Sequence, residues 1–175
     1  MTARPTAVVG TIVTAVATIY IVALLLGMSD PDWGAWARPV VHLGELAVLL
    51  ALGGAVGRGA WGRIGIGLAG IGLLMMAVAE PTMNELLFTI APNLVGLGMI
   101  VTGVAVLREG VWTGGRRWLP LVQGIAVFAV LTPLVIVSGG PPAPLGLVGL
   151  LVWEVLWVAI GVAALDRRVA SPVAA

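Results

Sequence analysis

The sequence predicts an all-α, polytopic transmembrane bundle of six helices, with the N-terminus and the C-terminus both in the cytoplasm. Three observations carry that expectation. Hydrophobic residues make up 60% of the 175-residue chain and charged residues only 10%; six apolar stretches reach spanning length; and the arginines gather on one side of them. An ordinary soluble domain is roughly 25% charged, so lipid rather than water is the solvent this composition fits. The six stretches use nearly all of the residues, which leaves a single domain over 1–175 and no separate globular unit.

A span needs about 20 mostly apolar residues, because each residue rises about 1.5 Å and the hydrocarbon layer is roughly 30 Å thick. The first candidate, about 7–27, follows Arg4 and stops before Ser29, Asp30 and Asp32. It exceeds the roughly 7–15 apolar residues of a signal peptide, and the nearest conceivable cleavage site, Ala35-Trp36-Ala37, lies several polar residues further on. The second, about 39–57, opens at Pro39 and carries His42 and Glu45. The third covers about 62–79, and the fourth, about 85–107, is interrupted by Pro92-Asn93. The fifth, about 119–138, is interrupted by Thr132-Pro133. The sixth, about 144–165, follows the GGPPAP turn at 139–144 and contains Glu154.

Orientation follows from arginine placement, since short cytoplasmic loops keep their positive charges. With the N-terminus inside, Arg4, Arg58, Arg63, Arg108, Arg116, Arg117, Arg167 and Arg168 are cytoplasmic and only Arg38 is outside, whereas Asp30, Asp32, Glu80 and Glu85 occupy the outer loops. Trp33 and Trp36 at the first outer loop, and Trp61, Trp112 and Trp118 at the inner loops, suit the headgroup layers. All nine cations are arginine and the chain is rich in Ala, Gly, Val and Leu, a composition of high-GC bacterial genomes. The expected location is therefore the inner (plasma) membrane of a bacterial cell, with the lipid bilayer as the first partner.

Several chemistries are disfavoured. The net charge of +1 and the lack of a basic stripe argue against nucleic acid. The absence of cysteine removes disulfides, thiolate metal sites, Fe–S clusters and cysteine nucleophiles. Gly65-x-Gly67-x-x-Gly70 matches the dinucleotide fingerprint by letter, but that motif works only between a strand and a helix; inside a span it reads as close helix packing, as does Gly53-x-x-x-Gly57. His42 and Glu45 stand three apart and share a helix face, a spacing that helical metal sites also use. With only Glu154 as a distant third ligand, no metal and no cofactor are expected. Ser29, Ser138 and Ser171 lie at or beyond helix ends and outside any Gly-x-Ser-x-Gly setting, so no catalytic residue is assigned.

Carboxylates within hydrocarbon are costly and usually mark a functional interior. Glu45 lies roughly 10 Å below the outer end of its predicted helix and Glu154 about 15 Å below, at the standard rise. Tyr20, Asn93 and Thr132 fall at similar heights, the last two beside prolines whose missing N–H frees a backbone carbonyl. The expectation is a polar pocket, open or openable to the outside, lined by Tyr20, His42, Glu45, Asn93, Thr132 and Glu154. The competing reading makes Glu45 and Glu154 interhelical glue, protonated or paired with His42, and Gln123 reads as glue.

The stretch Gly103-Val-Ala-Val-Leu-Arg-Glu-Gly-Val-Trp112, continuing through Gly115-Arg-Arg-Trp-Leu-Pro120, resembles a recurrent pattern in uncharacterised actinobacterial six-helix integral membrane proteins. The closing Trp157-Val-Ala-Ile-Gly-Val-Ala-Ala-Leu-Asp-Arg-Arg168 is similar to their last helix. The resemblance covers the chain from about residue 40 onward; it implies the six-helix architecture and brings no activity with it.

Three functions are ranked on these residues. The first is binding or transport of a small solute or ion through the outward-facing pocket. A second copy of the chain would supply the half that so short a transporter lacks. The second is an accessory or assembly subunit that docks on another membrane protein through the glycines of helices 2 and 3. The third, an enzyme using Glu154 as general base, comes last because neither a nucleophile nor a metal set accompanies the carboxylate.

Overall fold

The computed structural model describes residues 3–56, 59–139 and 143–165 and is helical, with no strand among them. Arg58, Arg167, Arg168, Gly57, Ser171 and the middle of the 139–144 turn lie outside the described residues. The first four spans are α1 (Ala3–Leu25), α2 (Gly34–Val56), α3 (Ala60–Thr82) and α4 (Glu85–Glu109). The fifth is composite: a 3-10 turn (Gly114–Trp118), α5 (Leu119–Ala126), a π-helical turn (Val127–Leu131) and α6 (Thr132–Ser138). The sixth is α7 (Pro144–Leu165). All six are long and apolar enough to cross a membrane. This is the make-up of a multi-pass integral membrane protein.

The boundaries depart from expectation mainly at α2, which begins at Gly34 and carries Pro39 inside it. The turn from Gly34 to Arg38 is polar enough to read as loop yet is helical, and Pro39 so near the helix start frees only the carbonyl of Ala35. Helix ends have local causes. The Asn84 side chain accepts the Leu87 N–H at 3.1 Å, an N-cap that satisfies one of the open donors of α4, and Gly110 ends the helix in the left-handed conformation at φ 62°. In the fifth span the Thr132 N–H reaches back to the Val127 carbonyl. Pro133, which has no N–H to offer, follows directly, and the widened turn is how the helix passes it.

Each span packs on its chain neighbours and α7 closes the ring against α1, while α2 leans inward to touch α7 and α4 as well. The inward stripe of α2 is His42, Glu45, Leu49, Leu52 and Val56, a 3–4 spacing that keeps one face turned to the centre. Apolar side chains such as Val9, Ile12, Ile19, Leu50, Ile71 and Leu97 are exposed along the outside. A bundle with an apolar outer surface that buries the ionisable span residues His42, Glu45 and Glu154 inside suits lipid as solvent.

The tightest pair is α3 with α4. A Cβ on Gly98 would stand 2.7 Å from the Gly65 carbonyl oxygen, and one on Gly72 2.8 Å from that of Ala91, so these backbones touch directly. Of the GxGxxG letters, Gly65 meets α4, Gly70 makes ordinary contact with Leu46 and Leu49, and Gly67 faces open space. The motif is helix packing.

The bundle has two chemically distinct ends. Asp30, Asp32, Glu80 and Glu85 stand at the one where α2, α4 and α7 begin, and Arg63, Arg108, Arg116 and Arg117 at the other. Exposed Trp33 and Trp36 mark the acidic end, exposed Trp61 and Trp118 the arginine end. Trp153 and Trp157, by contrast, are buried in the middle, in edge-to-face contact with centroids 6.0 Å apart.

Candidate functional site

Arg38, His42 and Glu45 follow one another at spacings of four and three on α2, so a single face carries them from the acidic end inward. Glu45 lies about 16 Å into α2 and Glu154 about 15 Å into α7 at the standard rise, and the two helices enter the bundle from the same end. The carboxyls are therefore level, and Glu154 directly follows Trp153, whose indole meets Glu45.

Glu45 is wholly buried and uses both oxygens. Oε2 is 2.7 Å from His42 Nδ1, and Oε1 accepts the indole N–H of Trp153. An indole nitrogen can only donate, so Glu45 is held there as an acceptor. His42 Nε2 lies 3.9 Å from Glu80 Oε1, within ion-pair reach but too far for a hydrogen bond. The other Glu80 oxygen is 3.5 Å from the Arg38 guanidinium, which also reaches Asp30 Oδ2 at 2.9 Å. Asp30 Oδ1 in turn accepts the hydroxyl of Tyr20.

These contacts form one ladder, Tyr20, Asp30, Arg38, Glu80, His42, Glu45, with Glu154 level with its last rung. Its upper rungs are wet, the Asp30 and Arg38 side chains being about a third exposed. Its lower rungs are dry, with Glu45 at 0% and Glu154 at 4% exposure. Taking a carboxylate this deep costs several kcal/mol before any partner compensates it. Glu154 Oε2 is buried with no hydrogen-bond partner.

Of the six residues expected to line a pocket, the structure brings His42, Glu45 and Glu154 together and ties Tyr20 to them through Asp30 and Arg38. All three of the trio are buried. Asn93 stands apart: its amide donates to the Thr89 carbonyl of its own helix at 2.7 Å. Thr132 is half-buried at the end of the π-turn, and its hydroxyl makes no hydrogen bond within the described residues. Among the described residues no hydrogen bond joins either of them to the trio.

Sequence reasoning missed Arg38, Asp30, Glu80 and Trp153. The first three read as loop charges, although the 38, 42, 45 stripe was there to be found. Trp153 carried no signal beyond standing next to Glu154. No group of three or more His, Asp or Glu side chains among the described residues is arranged to hold a metal, and the direct His42–Glu45 bond leaves no room for an ion between them. The chain matches no family model, no curated protein and no solved structure.

Proposed function

We propose that this is a proton-binding membrane protein, in which the Glu45–Glu154 pair takes up a proton from the acidic end and its occupancy is coupled to the movement of a small ion or solute. The observation that carries this reading is the continuous ladder from exposed Asp30 and Arg38 to a dry carboxyl pair in mid-bundle. A proton is the ligand that suits a site so closed: it needs no coordination shell and no cavity. The buried trio of His42, Glu45 and Glu154 becomes neutral on holding two protons. Held as imidazolium, carboxylate and carboxylic acid, they satisfy every contact seen. Two carboxylates brought close in a low dielectric repel one another, and a bound proton removes that repulsion.

Glu80 is the natural entry. It touches Arg38 with one oxygen and approaches His42 with the other, so a modest swing changes its partner. Carboxylate–imidazole–carboxylate chains of this kind are how intramembrane proton relays are built. In the bacterial orientation expected from the arginines, the acidic end faces outside.

The accessory-subunit reading loses the feature that motivated it. Gly44, Gly62, Gly65 and Gly72 of α2 and α3 meet α1, α2 and α4 of the same chain, so most of the glycines behind that reading are used within the bundle, while Gly67 faces outward.

The test is proton flux in liposomes loaded with a pH-sensitive dye. The native protein should admit protons under an imposed gradient, and Glu45→Gln and Glu154→Gln should each reduce the rate at least about tenfold, roughly 1.4 kcal/mol on the barrier. Equal flux in all three proteins would end the proposal.

A further inference from the structure

The buried polar groups do not stop at Glu154. Among the described residues, Glu154 Oε2, Trp157 Nε1 and both amide atoms of Gln123 are buried without a hydrogen-bond partner, as is His42 Nε2. Gln123 and Trp157 are fully buried. Interior polar groups are nearly always paired with protein or ordered water, so a set of orphans on adjacent helices calls for one common explanation.

Their positions form a file. Glu154 stands about 16 Å, and Trp157 about 12 Å, from the arginine end of α7, while Gln123 stands about 6 Å from the same end of α5, at the standard rise. Trp157 is one turn beyond Glu154 on the same face of α7. Gln123 shares an inward stripe with Val127 and Leu131 of the fifth span, which pack in the core with Trp157. α5 rests on α7.

We propose that Glu154, Trp157 and Gln123 line an internal path for a short file of water molecules, joining the carboxyl pair to the arginine end. The chemistry selects water. The indole N–H and the amide NH2 are donors that repel a cation, and the Glu154 carboxyl repels an anion. Water donates and accepts, and a buried water typically makes about three hydrogen bonds; Gln123 alone offers a donor and an acceptor. The apolar neighbours Val127 and Ile160 keep the path narrow. Its use as a proton exit rests on the proton-binding reading. Glu154 would pass its proton to the first water, which gives one up to the next while Gln123 orients the file and does not titrate.

Radiolytic hydroxyl-radical footprinting of the native protein in nanodiscs tests the path, because radicals formed from bound water oxidise side chains that bulk solvent never reaches. Met99 is the control, being equally buried, intrinsically reactive and set in an apolar part of the core. Trp157 should be oxidised at least about tenfold faster than Met99 after correction for intrinsic reactivity, if water occupies the file. Gln123→Leu should bring Trp157 down to the rate of Met99, while Gln123→Asn, which keeps both amide groups, should retain most of the oxidation. Trp157 as silent as Met99 in the native protein would overturn the path. Footprinting reads water and not protons, so absent proton flux with Trp157 oxidised would sink the proton-binding reading and leave the path standing.

Discussion

The two halves of α2 share one inward face, yet differ in chemistry. Towards the arginine end that face is Leu49, Leu52 and Val56, all fully buried in apolar surroundings. Towards the acidic end it is Arg38, His42 and Glu45, tied to Asp30, Glu80 and Trp153. Packing alone does not ask for the second arrangement, since Leu at position 45 would continue the stripe without desolvating a charge. In a bundle whose other interfaces are closed by glycine-to-backbone contact, a costly polar column is the part that stability does not explain.

Substitutions in the polar column and in the glycine packing break the comparison in different ways. Glu45→Ala leaves the His42 Nδ1 and Trp153 Nε1 groups without acceptors and should destabilise the protein by about 3–5 kcal/mol, measured by thermal or denaturant unfolding in detergent. Gly98→Val acts at the α3–α4 contact, forcing a branched side chain against the Gly65 carbonyl. The expected cost is about 1–3 kcal/mol, as for overpacked cores, with proton flux per folded molecule unchanged. If Gly98→Val abolished flux in protein that remains folded, the division between a packing region and a proton-binding region would be wrong.

How much of this was legible in the sequence differs between fold and site. Six spans were readable because hydropathy and length constrain them strongly, and α4 and α7 begin where the apolar runs suggest. The start of α2 was not, since Gly34 to Arg38 looks like loop until its helical hydrogen bonding is seen. At the site, counting residues from helix ends placed His42, Glu45 and Glu154 at matching depth. Rotation of one span about its axis relative to another is set by three-dimensional packing and leaves no trace in residue spacing. Trp153 was overlooked for that reason, and no hydrogen bond among the described residues joins Asn93 or Thr132 to the trio. Arg38 and Glu80 were hidden differently: charges at span ends also report topology, and that simpler reading accounted for them.

Two smaller effects sharpen the contrast. Asn84→Ala removes the α4 N-cap and should cost about 1 kcal/mol, visible as a lowered unfolding midpoint with no change in flux. Arg38→Gln should change stability by less than about 1 kcal/mol, because its ion pairs are partly exposed and screened, yet should alter the rate and salt dependence of proton entry from the acidic end. An Arg38 variant with altered stability and unaltered entry would reverse the roles assigned to the two ends of α2.

The central claim is that Glu45 and Glu154 hold an exchangeable proton between them. Infrared difference spectroscopy of the reconstituted protein, recorded across a pH titration, reads it directly. A carboxylic C=O stretch from a dry environment should appear as pH falls, shift in D2O, and disappear in both Glu154→Gln and Glu45→Gln. A pH-insensitive spectrum in that region, or a band that survives both substitutions, would contradict the account.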